Sequence, residues 1–131
     1  MKITIETIPH SEQRIPGQVG DWQWVTPAEL RIRVSTMTEM THCMAVAAHE
    51  MVEAMLCWKD DVSEADVDAF DLAYERDRLP LGVPGDFGEP GDSPHAPYHR
   101  QHCFATAVER MLIAALGVPW AEYDAAVEAL L

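Results

Sequence analysis

The sequence predicts an α+β domain, and three observations carry that prediction. Apolar residues alternate near the start of the chain, they recur at helical spacing from Thr36 onward, and two capping signatures precede the first two helical stretches. Strands come first and helices follow, an order that suits helices packed on a small sheet. With 131 residues and 48% hydrophobic content, the chain is expected to form one domain, 1–131, with a substantial core.

Ile3 and Ile5 alternate with Lys2, Thr4 and Glu6, which predicts a half-buried strand. Pro9, Pro16, Gly17 and Gly20 mark a loop after it. Trp22 and Trp24 share one face of a second strand, and Thr26-Pro27-Ala28-Glu29 reads as a turn. Leu30, Ile32 and Val34 alternate with Arg31, Arg33 and Ser35, the clearest strand in the chain. A strand plus a hairpin therefore builds a small, mostly antiparallel N-terminal sheet. Four helices are expected after it.

Thr36-x-x-Glu39 is a capping-box pattern, opening a long helix to about Trp58. Its inner stripe is expected to be Met40, Met44, Ala47, Met51, Met55 and Trp58. Ser63-x-x-Asp66 opens a second helix to about Arg76, with Val67, Phe70 and Tyr74 inward. From Leu79 to Pro97 prolines and glycines are dense, so a long ordered loop or lid is expected, carrying Asp86, Glu89, Asp92 and His95. A third helix starts near Pro97 and ends at Gly117, with Phe104, Ala107, Val108, Met111 and Ala115 as its apolar side. Pro119 opens a last helix that buries Trp120, Tyr123 and Val127.

Composition narrows the function classes. A net charge of −13 repels phosphates, so no direct nucleic-acid contact is expected; a basic protein partner is the charge-matched alternative. No apolar run approaches a membrane span, and the start of the chain lacks a secretory signal pattern. The three cysteines, Cys43, Cys57 and Cys103, form no disulfide framework, so a reducing, cytoplasmic setting is expected.

The polar residues of the long helix resist an ordinary reading. His49 and Glu53 fall one turn apart on one face, with His42 two turns before His49. Val46 and Leu56 share that side, which a solvated face would not normally include. No Lys or Arg lies between Arg33 and Lys59, so Glu50 and Glu53 have no cation on their own helix. A bound metal cation resolves both problems. Asp71 lies inward on the second helix, and His102, Thr106, Glu109 and Ile113 share a face of the third. These faces can converge on His49 and Glu53.

His49-Glu50-x-x-Glu53 resembles the His-Glu-x-x-His helix of zincin-like metallopeptidases, with Glu53 in place of the second histidine. The resemblance implies a minimal zincin-like fold and a zinc site. His49 and Glu53 would be ligands, His102 the third, and Asp71 the next candidate. Glu50 would act as general base on a metal-bound water, with Tyr98 or His99 steadying the oxyanion of a peptide or protein substrate. The strand Leu30 to Val34 would pair with an extended peptide, and the 79–97 loop would cover the site.

Glu50-x-x-Glu53 followed by Asp68-x-x-Asp71 is also similar to the MazG-like nucleotide pyrophosphohydrolases, whose carboxylates hold magnesium against a pyrophosphate. A third alternative is non-enzymatic: an acidic inhibitor or nucleic-acid mimic that uses the stretch Asp60 to Asp77 to occupy a basic partner.

Overall fold

A computed structural model describes residues 1–81 and 88–131. The fold is α+β: a three-stranded sheet at the N-terminus, then four helices among the described residues. Strand β1 is Lys2–Ile8, β2 is Gly20–Thr26 and β3 is Glu29–Ser35. Helices α1 to α4 span Met40–Lys59, Glu64–Leu81, His99–Ala115 and Trp120–Glu128. Short 3-10 turns occupy His10–Glu12 and Pro90–Asp92. No helix among the described residues is long and apolar enough to cross a membrane.

The β2–β3 hairpin pairs antiparallel, as its turn requires. The sheet as a whole is mixed, however, because β1 adds to the other edge of β3 in parallel. The reason lies in the connection. Residues 9 to 19 only have to pass the end of β3 at Ser35, so β1 and β2 run in opposite directions with β3 inserted between them. Alternation within a strand cannot reveal that insertion. His10 Nδ1 lies 2.9 Å from the Ser35 hydroxyl, and Gln13 Nε2 donates to the same oxygen at 3.0 Å, which fastens the crossing.

The central strand anchors the core. Leu30, Ile32 and Val34 have no solvent exposure, while Arg31 bonds Gln23 and Arg33 bonds Glu6 on the opposite face. Each buried branched side chain contributes about 1.5–3 kcal/mol. Helix α1 packs against β2 and β3 on one flank and α3 on another.

Local signals were kept at some helix ends and overruled at others. Gly117 (φ 73°) ends α3, with Val118 N–H reaching Ile113 O and Gly117 N–H reaching Ala114 O. The Ser63 hydroxyl accepts from Asp66 N–H at 3.1 Å, the cap expected for α2, which runs past Arg76 to Leu81. The Thr36 cap does not form. Thr36 instead donates to Ile8 O, tying the end of β1, and α1 starts at Met40 without a side-chain cap. Of the expected 79–97 loop, residues 79–81 belong to α2, residues 82–87 lie outside the described residues, and the rest is irregular except for Pro90–Asp92.

The largest correction concerns which face of the helices turns inward. The expected inner stripe of α1 is largely outside: Met40, Met44, Met55 and Trp58 are exposed. Its buried face carries His42, His49 and Glu53, flanked by Cys43, Ala45, Val46, Ala54 and Cys57. Helix α3 does the same, exposing Phe104 and Met111 and burying Gln101, His102, Ala105 and Ile113. Periodicity detects a stripe but not its direction. Small residues on the buried side let α1 approach the sheet closely, and the inward His49 and Glu53 bond each other and His102, while His42 Nε2 has no hydrogen bond among the described residues.

Ile32→Ala should therefore cost about 2–5 kcal/mol in a urea-unfolding measurement. Ile5→Ala, at a side chain 53% exposed on the β1 edge, should cost under about 1 kcal/mol in the same measurement.

Candidate metal centre

Glu53 sits where the sheet, α1 and α3 meet. Its Oε1 accepts from the Trp22 indole N–H of β2 at 2.9 Å. Its Oε2 lies 3.3 Å from His49 Nε2, one turn earlier on α1, and 3.0 Å from His102 Nδ1 on α3. The two ring nitrogens are themselves 3.2 Å apart. All three side chains are buried. Three donor atoms thus form a triangle with edges of 3.0–3.3 Å. Ligands about 2.0–2.1 Å from one tetrahedral zinc ion are separated by about 3.3 Å, so these side chains suit a common cation.

The remaining nitrogens are also engaged. His49 Nδ1 meets Glu109 Oε2 of α3 at 2.8 Å, and the Tyr123 hydroxyl of α4 donates to the other oxygen of Glu109. A carboxylate on the far nitrogen fixes the ring and leaves Nε2 aimed at the cluster. The Tyr123 ring in turn packs edge-on against His42. His102 Nε2 is buried and makes no hydrogen bond of acceptable direction, although Glu89 and Asp92 oxygens lie 3.2 and 3.3 Å away. One donor atom each from His49, Glu89 and His102 also fall within 4.8 Å of one another. Glu89 is thus a second carboxylate within reach of the imidazole pair.

A glycine makes this approach possible. A Cβ on Gly91 would lie 2.3 Å from His102 Cγ, so any side chain there would displace the imidazole.

Electrostatics oppose and then hold the cluster. Burial raises the Glu53 pKa, but hydrogen bonds from His102 and His49 outweigh it and bring the carboxyl down to about 2. Burial lowers the His102 pKa, yet Glu53 and Glu89 lift it to about 10. His49 likewise stands well above its usual value, because Glu109 and Glu53 overcome desolvation. Without a metal, the two ring nitrogens thus share one carboxylate 3.2 Å apart, in surroundings that favour protons on the imidazoles. A divalent cation would replace protons there with one charge placed between the donors.

A small cavity of about 60 Å³ opens beside the cluster, lined among others by Glu50, Asp68, Asp71, Tyr98 and the Gly17–Trp22 segment. Glu50 is half-buried there, and a Cβ on Gly20 would come within 2.5 Å of its Oε1. Burial and the Glu53 charge push the Glu50 pKa well upward. Asp71 is buried but committed elsewhere: Tyr98 donates to Oδ1 and Gln18 to Oδ2, each at 2.5 Å. Burial outweighs those bonds and sets its pKa at about 6. Arg14 bridges Asp21 on β2 and Asp68 on α2.

His49, Glu53 and His102 are therefore brought together. Glu50 and Asp71 line the same cavity, and the Tyr98 hydroxyl is turned to Asp71. His99 bonds Gly91 O instead, at 2.8 Å. The roles of Glu109, Glu89 and Tyr123 were not legible in advance. Glu109 shares a helical face with His102, a signal for proximity but not for a bond to His49. No family model matches the chain, and neither a curated protein nor a solved structure matches it.

Glu53→Gln should cost about 3–5 kcal/mol in the metal-free protein, read by chemical unfolding, because it removes the buried carboxylate charge that His49 and His102 share. The raised His102 pKa stabilises the metal-free fold fully below pH 6.5 and is lost as pH rises through about 10. Calorimetry of chelator-treated protein should show the melting temperature falling across that window, and Glu53→Gln should flatten the fall.

Proposed function

We propose that this protein binds a divalent transition metal, zinc foremost, through His49, Glu53 and His102, with Glu89 able to complete the shell. The observation that carries the reading is the triangle of three buried donor atoms whose mutual spacing matches one cation, with Glu109 bracing His49 from behind. Mixed imidazole and carboxylate donors suit zinc better than magnesium, which prefers oxygen alone.

The chemistry best matched to the surroundings is hydrolysis of a peptide or other amide. A bound zinc would supply Lewis acidity and an acidified water. Glu50 lies on the same cavity wall, one residue from His49, where its carboxylate would take a proton from an attacking water. The cavity has room for a few waters, so the scissile group would enter from its open side.

A second reading has one observation in its favour: Glu50, Glu53, Asp68 and Asp71 all line this cavity, as a magnesium-dependent nucleotide pyrophosphohydrolase would need. Three of the four are already engaged: Glu53 by Trp22 and two imidazoles, Asp68 by Arg14, Asp71 by Tyr98 and Gln18. The histidines would have no task in that reaction.

Zinc titration of chelator-treated protein against a chromophoric competitor tests the proposal. One equivalent should bind, with affinity rising with pH as the imidazoles lose their protons. His49→Ala and His102→Ala should abolish binding, and Glu109→Gln should weaken it by about 10–100-fold. Glu50→Gln should keep the metal and lose peptide hydrolysis. Failure of the folded wild type to bind zinc would refute the metal reading. Magnesium-dependent pyrophosphate release from nucleoside triphosphates would favour the second reading.

A further inference from the structure

The inner triangle uses only one nitrogen of His102. Nδ1 lies 3.0 Å from Glu53 Oε2 and 3.2 Å from His49 Nε2. Nε2 belongs to a residue 4% exposed and has no hydrogen bond among the described residues. A buried polar atom in that state calls for an ion or a water.

Two carboxylates stand beside it. Glu89 Oε2 lies 3.2 Å and Asp92 Oδ1 3.3 Å from Nε2, so distance is satisfied and direction is not. An ion pair held by a proton lines up, because an N–H···O bond weakens steeply below about 120°. Co-ligands of one tetrahedral ion are placed differently. Each lies about 3.3 Å from its neighbour and about 35° off that neighbour's bonding axis. Two oxygens at this distance and off the axis of a ring nitrogen are placed as co-ligands.

The backbone presets the pair. Asp92 N–H donates to Glu89 O and Glu89 N–H donates to Asp92 Oδ2, each at 3.0 Å, which leaves Asp92 Oδ1 for His102. Both acidic side chains are half exposed. With Glu109, Asp124 and Glu128 they line a cavity of about 390 Å³. The one Arg or Lys among its described lining residues, Arg110, lies over the Trp120 ring at 4.1 Å. A cation beside Nε2 would meet little competing positive charge and has room for waters.

We propose that His102 bridges two metal ions: the inner one of the site above, and an outer divalent transition ion held by His102 Nε2, Glu89 and Asp92. The outer site rests on the inner one, and with both ions bound Glu89 serves the outer ion. Imidazole with carboxylate donors suits zinc or manganese. A neutral imidazole carries one ring proton. Coordination at both nitrogens sends that proton to solvent as the second ion binds, and the ring bridges as imidazolate. Ordering two half-exposed side chains costs entropy, so the outer ion is held more weakly than the inner. Its remaining positions face the cavity, open to water or to an anionic group of a ligand.

Equilibrium dialysis of the full chain against zinc, read by elemental analysis, tests this. One equivalent should survive a competing chelator, and a second should bind once zinc is in excess. Asp92→Asn keeps an acceptor for Glu89 N–H but removes the charge. It should weaken the second equivalent by about tenfold or more, since even partners that only orient a ligand cost about 10–100-fold. The first equivalent and the far-UV circular dichroism should stay unchanged. Glu89→Gln, expected to weaken the second equivalent in the same way, is the independent arm if Asp92→Asn does not fold. A wild type that stops at one equivalent overturns the outer site and leaves the inner one standing. A second equivalent that both folded variants retain is surface binding and overturns it as well. A wild type with no chelator-resistant equivalent refutes the inner site, and the bridge falls with it.

Discussion

One buried carboxylate holds the molecule's three layers in register. Glu53 on α1 takes a hydrogen bond from Trp22 on β2 and contacts His49 on its own helix and His102 on α3. Both oxygens are occupied, so the group is neither idle nor solvated. A buried ionised group is costly unless it is paired and fully hydrogen-bonded, and Glu53 meets that condition only if sheet, α1 and α3 are all in place. The fold and the site are therefore one arrangement. The backing partners extend it: Glu109 holds His49, and Tyr123 of α4 holds Glu109.

The same economy runs through the wall of the cavity. Arg14 joins β2 to α2 through Asp21 and Asp68, and Asp71 gathers Tyr98 and Gln18. Each of these acids is bound by a neighbouring side chain, and for Asp68 and Asp71 the partners come from distant segments. Glu50 stands apart, with no such donor among the described residues and a position on the cavity wall beside His49. That difference separates Glu50 from the acids that hold structure.

Much of this was legible in the sequence, and the failures are instructive. Alternation identified β3 through Leu30, Ile32 and Val34, and helical spacing grouped His49 with Glu53 and His102 with Glu109. Acids on a helix that carries no cation of its own mark the buried cluster. Two kinds of fact were hidden. The parallel pairing of β1 depends on a crossing between segments, which no local pattern encodes. The direction of the α1 and α3 faces was ambiguous because Met40, Met44 and Met55 compete with a face of small residues and histidines. Hydrophobicity favoured the first; mutual satisfaction of the polar groups decided for the second. The 3-10 turn at Pro90–Asp92, which brings Glu89 and Gly91 to His102, left no readable mark beyond the glycine itself.

The central claim is that His49, Glu53 and His102 share a single metal ion. Crystals of protein grown with zinc, measured just above and just below the zinc absorption edge, test it most directly. An anomalous peak present only above the edge, lying within bonding distance of the two imidazole nitrogens and the Glu53 carboxylate, is the predicted result. A map with no peak there, and the three side chains still hydrogen-bonded only to one another, would contradict it.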